Sequence, residues 1–174
     1  MPEGWESFYL LVGGAAGALI GLLFVVVSLT AELDPKRTRT GSKVYVTPIV
    51  FHFGTVLLIS AIGLMPNAPP HVLAVVIGAP AIWGAIYSIL SVWRLGFGAL
   101  EVPHWSDWLY YGVFPGVVYL ALLVAGEAFW SGRAFAAHAT AVGAVALLLL
   151  GIRDAWDVAL WISQHPGEAG KSRE

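Results

Sequence analysis

The 174-residue chain contains no cysteine and few charged side chains. Without a thiol it forms no disulfide and offers no thiolate nucleophile or thiolate metal ligand. Aspartate, glutamate, lysine and arginine together make up 11% of the residues, against about 25% in a soluble domain. Hydrophobic residues make up 58%. This balance argues against a soluble catalytic module, and the basic residues are too few and too dispersed for a nucleic-acid surface.

The sequence also lacks the short motifs that carry common chemistry. No HExxH, GxSxG or phosphate-loop pattern is present, so zinc-protease, serine-hydrolase and nucleotide-phosphate sites have no support. The five histidines are dispersed along the chain and provide no ligand pair at helical spacing. We therefore predict that the protein is not an enzyme and uses neither a metal nor another cofactor.

Five long apolar stretches fill most of the chain, at residues 8–31, 44–65, 72–93, 108–130 and 134–152. A helix needs about 20 apolar residues to cross the hydrocarbon core of a bilayer, and each stretch meets or nearly meets that length. The sequence predicts an all-α fold, a polytopic membrane bundle of about five transmembrane helices in a single domain over residues 1–174. Charged and aromatic residues at helical spacing in 153–163 predict an interfacial helical extension, followed by a polar tail at 164–174.

The basic residues predict an orientation in the membrane. Eight of the nine lie in the first loop, the third loop and the C-terminal region, at Lys36, Arg37, Arg39, Lys43, Arg94, Arg153, Lys171 and Arg173. With five spans these three regions share one side, and the positive-inside rule assigns that side to the cytoplasm. The N-terminus is then outside, and the acidic start of the chain favours a retained first helix over a cleaved signal.

Small residues recur at helical spacing on two stretches. Gly13, Gly17 and Gly21 are four residues apart on the first stretch, and Gly84 and Ser88 share a face of the third. In lipid, helices associate largely through such close-packing faces. The pattern predicts tight contact between helices, and it leaves open whether the partner helix belongs to the same chain or to another subunit.

The second stretch carries polar residues on one side. His52, Thr55 and Ser60 are candidates for the lining of a water-filled path, because an ionisable residue inside a membrane span is costly and is often functional. The alternative is a buried neutral histidine that hydrogen-bonds a neighbouring helix, with the threonine and serine bonded to their own backbone.

Two groups of polar residues are predicted at the ends of the spans. The outer group comprises Glu127, Arg133, His138 and His71, and it predicts either a vestibule or a simple ion-pair cap between the first two. The inner group comprises Arg94, Glu101, Asp107, Arg153, Asp154 and Asp157. It predicts either locks between the third loop and the last helix, with Arg153 and Asp157 paired at i, i+4, or a ring of acids that selects cations.

Two segments resemble a known group of proteins. Residues 13–29, with the sequence GGAAGALIGLLFVVVSL, look like the first helix of small bacterial multi-pass inner-membrane proteins that are mostly described as hypothetical. Residues 151–157, GIRDAWD, resemble the ending of their last helix. The resemblance implies a multi-pass protein of the bacterial cytoplasmic membrane, and it implies no activity and no functional residue.

These observations favour a homo-oligomeric channel or pore-like protein for ions or small solutes, with the lipid bilayer and further copies of the chain as its partners. The alternative is a non-transporting adaptor or regulatory subunit of a larger membrane complex. A solute carrier is a weaker interpretation, because the chain has no internal repeat and an odd number of predicted spans. We expect no nucleic-acid partner.

Overall fold

The computed structural model describes residues 4–33, 47–97 and 109–164. Within these ranges the fold is entirely α-helical, which confirms the predicted fold class at that level. The five helices are α1 (Glu6–Leu33), α2 (Thr47–Gly63), α3 (Pro70–Phe97), α4 (Phe114–Trp130) and α5 (Ala136–Gln164). A π-helical turn, Leu109–Val113, leads directly into α4. Glu101, Asp107 and the polar tail from residue 165 onward lie outside the described residues.

Three of the helices are long and apolar enough to cross a membrane. These spans are Glu6–Ser28 in α1, Pro70–Trp93 in α3 and Ala136–Leu160 in α5. Two further apolar helices are shorter, at Pro48–Gly63 and Phe114–Trp130. Length and composition thus support a membrane protein with three helices that could cross the bilayer. That all five helices cross it stays a prediction.

The helices form an up-and-down bundle in which each helix contacts its neighbours in the chain. Contacts also close the ring between α1 and α5, and α2 packs against α5 across the middle. Antiparallel neighbours follow from the contacts themselves: Gly63 lies against Tyr9, whereas Gly13 lies against Ser60. The connections at residues 64–69 and 131–135 are short, as expected for antiparallel helix pairs.

The exterior of the bundle carries many large apolar side chains. Phe24 on α1 is 73% exposed, and Trp83, Leu120 and Val142 are also exposed on three other helices. The buried polar residues lie inside instead, at His52, Thr55, Ser60, Ser88, Thr140 and Asp154. In water this arrangement would expose large apolar patches, whereas in lipid an apolar exterior carries no such cost.

Close helix contacts are made through only part of the predicted small-residue faces. A Cβ atom on Gly13 would lie 2.7 Å from Cβ of Ser60, and one on Gly84 would lie 2.5 Å from the Tyr119 ring. Ser88 is buried beside Gly116, again between α3 and α4. Around Gly17 and Gly21 the described residues leave open space. Among the described residues, only the first glycine of the α1 series is therefore in close contact with another helix.

Helix α5 continues without interruption through the predicted interfacial extension. In this part of α5 the burial pattern is reversed relative to a surface helix: Asp154 is 1% exposed, whereas Trp156 is 65% exposed. At Asp154 the helix is thus still packed inside the bundle. A carboxylate faces inward and an indole faces outward, which is the polarity expected where the surroundings are apolar.

Candidate functional site

A buried polar cluster lies in one half of the bundle, toward the start of α2, the start of α4 and the end of α5. We call this the inner half and the opposite one the outer half. The cluster contains His52 from α2, Ser88 from α3 and Asp154 from α5, all buried. Tyr119 from α4 completes it at 1% exposure. Four helices therefore bring one polar side chain each to the same region.

His52 and Tyr119 are in hydrogen-bond contact across the bundle. The distance from Nδ1 of His52 to the Tyr119 hydroxyl oxygen is 2.6 Å, and the two rings lie 5.6 Å apart between centroids. Gly84 makes this contact possible, because its missing side chain leaves the space that the Tyr119 ring occupies. The pair satisfies polar atoms that would otherwise be costly to bury.

The three residues predicted to line a path lie at different depths inside the bundle. His52 contacts Tyr119, and the Thr55 hydroxyl donates to the backbone carbonyl of Phe51 at 2.8 Å. Ser60 lies farther toward the outer half, against Gly13. All three are buried within their own chain. A path between copies of the chain would not touch them, whereas a path inside one bundle would.

A small cavity lies beside Asp154. It measures about 10 Å³, enough for one water-sized body, and it is lined by Pro48, His52, Tyr87, Ser88, Pro115 and Asp154. Oδ1 of Asp154 is buried and makes no hydrogen bond with any residue that the structure describes. A buried carboxylate oxygen in this state calls for a physical explanation. The described residues contain no group of three or more acidic or histidine side chains placed to hold a metal.

Arg153 binds three groups at the edge of this cluster. Its Nη1 lies 3.5 Å from Oδ1 of Asp154, and its Nη2 lies 3.3 Å from Oδ2 of Asp157. The guanidinium carbon lies 3.4 Å from the centre of the Tyr110 ring, which is a cation–π contact. Three residues of the predicted inner group thus lie together. Arg94 lies on α3, in a part for which we describe only the backbone.

In the described part of the chain, no hydrogen bond or ion pair joins the side chains of the predicted outer group to one another. Nε of Arg133 donates to the Ser131 hydroxyl at 3.2 Å, and that hydroxyl donates to the backbone carbonyl of Glu127 at 3.1 Å. No ion pair joins the Glu127 and Arg133 side chains in the described part of the chain, so the predicted cap is absent there. His138 packs edge-on against Trp5. His71 is exposed at the start of α3.

The sequence did not single out three tyrosines of the inner half. Tyr119 pairs with His52, Tyr87 lines the cavity and Tyr110 holds Arg153. Inside an apolar stretch a tyrosine is typical of ordinary packing, so residue type alone gave no signal. The glycine at position 84 was the available signal, because a small residue on one helix leaves room for a large ring on its neighbour.

Comparisons of the chain with models of known protein families, with curated proteins and with solved structures find no match. The class of this protein therefore rests on its own structure. It is an all-α bundle with three helices long and apolar enough to cross a membrane. Within that bundle lies one cluster that joins a histidine, tyrosines and an aspartate.

Proposed function

We propose that this chain is a multi-pass membrane protein that moves protons or small cations through the interior of its own bundle. The observation that carries the proposal is the shared cavity of His52 and Asp154, which lies among otherwise apolar helices. Ionisable side chains inside a membrane are costly, and they commonly mark ion or proton pathways.

This proposal moves the path from the space between subunits to the interior of one chain. It is supported by the burial of His52 and Thr55 within their own bundle. An assembly of several copies would then contain one path in each copy. The cavity holds a single water-sized body, which favours stepwise passage of one ion or proton over a wide open pore.

The proposed location is the bacterial cytoplasmic membrane, with the N-terminus outside and the C-terminus in the cytoplasm. The uneven placement of lysine and arginine supports this orientation. The resemblance of residues 13–29 and 151–157 to small bacterial inner-membrane proteins supports the location. In this orientation the inner half, with its Asp154 cavity, faces the cytoplasm.

Flux through liposomes tests the proposal. The purified protein is reconstituted, and proton, sodium and potassium fluxes are followed after a gradient is imposed. We expect flux above protein-free liposomes, and a loss of about tenfold or more in Asp154→Asn, because changing a single buried charge is worth several kcal/mol. The matched control is Glu127→Gln, the same acid-to-amide change at an exposed position of the outer half, which should retain most of the flux.

Two outcomes of this assay would reject the proposal. One is wild-type flux equal to that of protein-free liposomes for every ion tested. The other is an Asp154→Asn variant that is folded, by its helical circular dichroism and its elution volume, and that transports as fast as the wild type.

A second candidate function, a non-transporting adaptor, is favoured by helix α1. In the apolar 18-residue window of the Glu6–Ser28 span only 22% of the residues are buried inside the chain, against 44% in the window of the Ala136–Leu160 span. The described residues leave open space at Gly17 and Gly21, on the side from which another helix could approach.

Pull-down from native membranes tests this candidate. It predicts a different protein in constant stoichiometry, lost in Gly17→Leu and Gly21→Leu. Recovery of the chain alone would reject it.

A further inference from the structure

We propose that the cavity beside Asp154 is a single-occupancy site for a monovalent cation, held by the Asp154 carboxylate. The cation is either a proton, which the carboxylate itself would bind, or a dehydrated sodium ion, which would occupy the water-sized volume beside the carboxylate. This inference rests on the proposed function and names the species that the path binds. It is tested by binding rather than by flux, so the two can fail separately.

The first argument is the state of the carboxylate. Asp154 is 1% exposed, and its Oδ1 atom makes no hydrogen bond within the described residues. The same residue lines a cavity of about 10 Å³. Nη1 of Arg153, the ion-pair partner of Oδ1 at 3.5 Å, is likewise buried without a hydrogen bond, so this ion pair leaves the carboxylate oxygen short of one. A body bound in the cavity would supply it.

The second argument is the way in which Arg153 is held. Its Nη1 atom approaches Oδ1 of Asp154 only to 3.5 Å, which is too far for a strong charge-assisted hydrogen bond. The guanidinium is kept there by the Tyr110 ring at 3.4 Å and by Asp157 at 3.3 Å. Arg153 thus offsets part of the negative charge of Asp154 without forming a direct hydrogen bond to its carboxylate.

The third argument is the chemistry of the lining. Two of the six lining residues, Pro48 and Pro115, have no backbone N–H to donate into the cavity. Tyr87 and Ser88 carry hydroxyl groups whose oxygens can coordinate sodium or accept a hydrogen bond from a protonated carboxyl group. A single carboxylate with hydroxyl groups suits a hard ion of one charge. The described residues supply no cluster of acids or histidines for a divalent or transition metal.

Occupancy will depend on pH through the charged and titratable groups that face Asp154. These are His52 from α2, Tyr87 from α3, Tyr110 from the π-helical turn, and Arg153 and Asp157 on α5 itself. From α4 the lining residue is Pro115, which does not titrate. Proton and sodium compete for the same carboxylate in this arrangement, so sodium should bind more tightly as pH rises.

Infrared difference spectroscopy of the protein in lipid films tests the site. In the first arm sodium chloride replaces choline chloride at constant ionic strength and pH, since choline is too large for the cavity. In the second arm the pH is stepped in choline chloride alone. The wild type is compared with Asp154→Asn and, as a matched acid-to-amide control at an exposed position of the outer half, with Glu127→Gln.

For a sodium site we expect a carboxylate band that shifts on sodium exchange, is absent from Asp154→Asn and is retained in Glu127→Gln. For a proton site we expect no sodium effect and a carboxylic-acid band on acidification, with the same dependence on the two variants. The sodium result supports the inference and identifies the cation. The acid band supports it only together with a midpoint that moves in Ser88→Ala, because any aspartate gains such a band on protonation. Wild-type spectra with no band of either kind that depends on Asp154 would overturn it.

Ser88→Ala keeps the test decisive if Asp154→Asn does not fold. Loss of one hydroxyl from the lining should shift the half-saturating sodium concentration or the proton midpoint by about two- to tenfold, the equivalent of one hydrogen bond. An unchanged midpoint in Ser88→Ala would contradict the site. Asp154-dependent bands without flux would reject the proposed function alone, and flux without such bands would reject the site alone.

Discussion

The two halves of the bundle each bury a polar side-chain oxygen that has no hydrogen-bond partner among the described residues, and they do so in different ways. In the outer half this atom is the Ser60 hydroxyl, which is enclosed by the close approach of Gly13. In the inner half it is Oδ1 of Asp154, which borders a cavity. An unsatisfied atom is a packing detail where neighbours close over it, and a candidate binding group where space remains beside it.

The difference reflects how each half is held together. The outer half uses small residues and rings, with Gly63 against Tyr9 and Trp5 against His138. The inner half uses a histidine–tyrosine contact and an arginine shared by two carboxylates. A buried hydroxyl without a partner costs about 1–3 kcal/mol, whereas a buried charge costs considerably more. The inner half therefore carries the larger energetic cost for its polar groups.

The largest expected effect comes from adding a side chain at Gly84, where the absence of a Cβ atom leaves the space that the Tyr119 ring occupies. Gly84→Ala places a Cβ atom 2.5 Å from the ring, so the ring must move away from His52. We expect the free energy of unfolding to fall by about 2–3 kcal/mol, as in overpacked cores. Denaturation by sodium dodecyl sulfate in mixed micelles, followed by circular dichroism, measures it.

Gly17→Ala is the matched control, because the described residues leave open space there. The same substitution should change the free energy of unfolding by less than about 1 kcal/mol, the range of helix propensity alone. Equal losses at the two positions would contradict the contrast between a filled and an open glycine site. A large loss at Gly17 alone would point to a subunit contact on α1.

The next effect concerns the His52–Tyr119 contact. Tyr119→Phe removes the hydroxyl and leaves Nδ1 of a buried histidine without its partner at 2.6 Å. The free energy of unfolding should fall by about 1–2 kcal/mol. Tyr110→Phe is the control, since it keeps the ring on which Arg153 lies. If both variants lost the same stability, the special role of the histidine contact would be refuted.

A smaller effect is expected in the outer half. Ser60→Ala removes a hydroxyl that makes no hydrogen bond with the described residues, and it keeps the small size that Gly13 requires. The free energy of unfolding should change by less than about 1 kcal/mol and in the stabilising direction, because an unsatisfied polar group is lost. Denaturation in the same micelles measures it. A loss as large as that of Tyr119→Phe would show that Ser60 is bonded in the membrane.

The smallest effect is expected where the predicted ion-pair cap is absent. Glu127→Gln and Arg133→Ala change exposed side chains that form no ion pair with each other within the described ranges. Each should alter the free energy of unfolding by less than about 0.5 kcal/mol. A double-mutant cycle should give a coupling energy near zero. A coupling energy above about 0.5 kcal/mol would instead support an ion pair between Glu127 and Arg133.

Some parts of the inner half could be predicted from the sequence, and others could not. His52 was selected because a histidine inside an apolar stretch is conspicuous, and one of its two interpretations included a hydrogen bond to a neighbouring helix. Its partner was not identified, because Tyr119 lies 67 residues away. Asp154 was assigned to an interfacial extension, because charged neighbours at 153 and 157 make that segment look like a surface helix.

The glycines show the same limit. The spacing of Gly13, Gly17 and Gly21 predicted a close helix contact, and spacing alone left the partner open. In the structure Gly13 contacts α2, whereas the two later glycines have open space around them in the described chain. The difference depends on where α2 lies against α1, and this is a property of the pair of helices rather than of α1.

By itself the sequence determined that this protein is helical and apolar, since helix length and hydropathy are sums over neighbouring residues. It also supplied the short list of polar residues from which any site had to be drawn. Only the tertiary structure decided which of them meet. The cavity beside Asp154 exists because four helices bring a proline, a histidine, two hydroxyl residues and a second proline to one point. Such a meeting depends on the relative placement of whole helices, which no local pattern in the chain encodes.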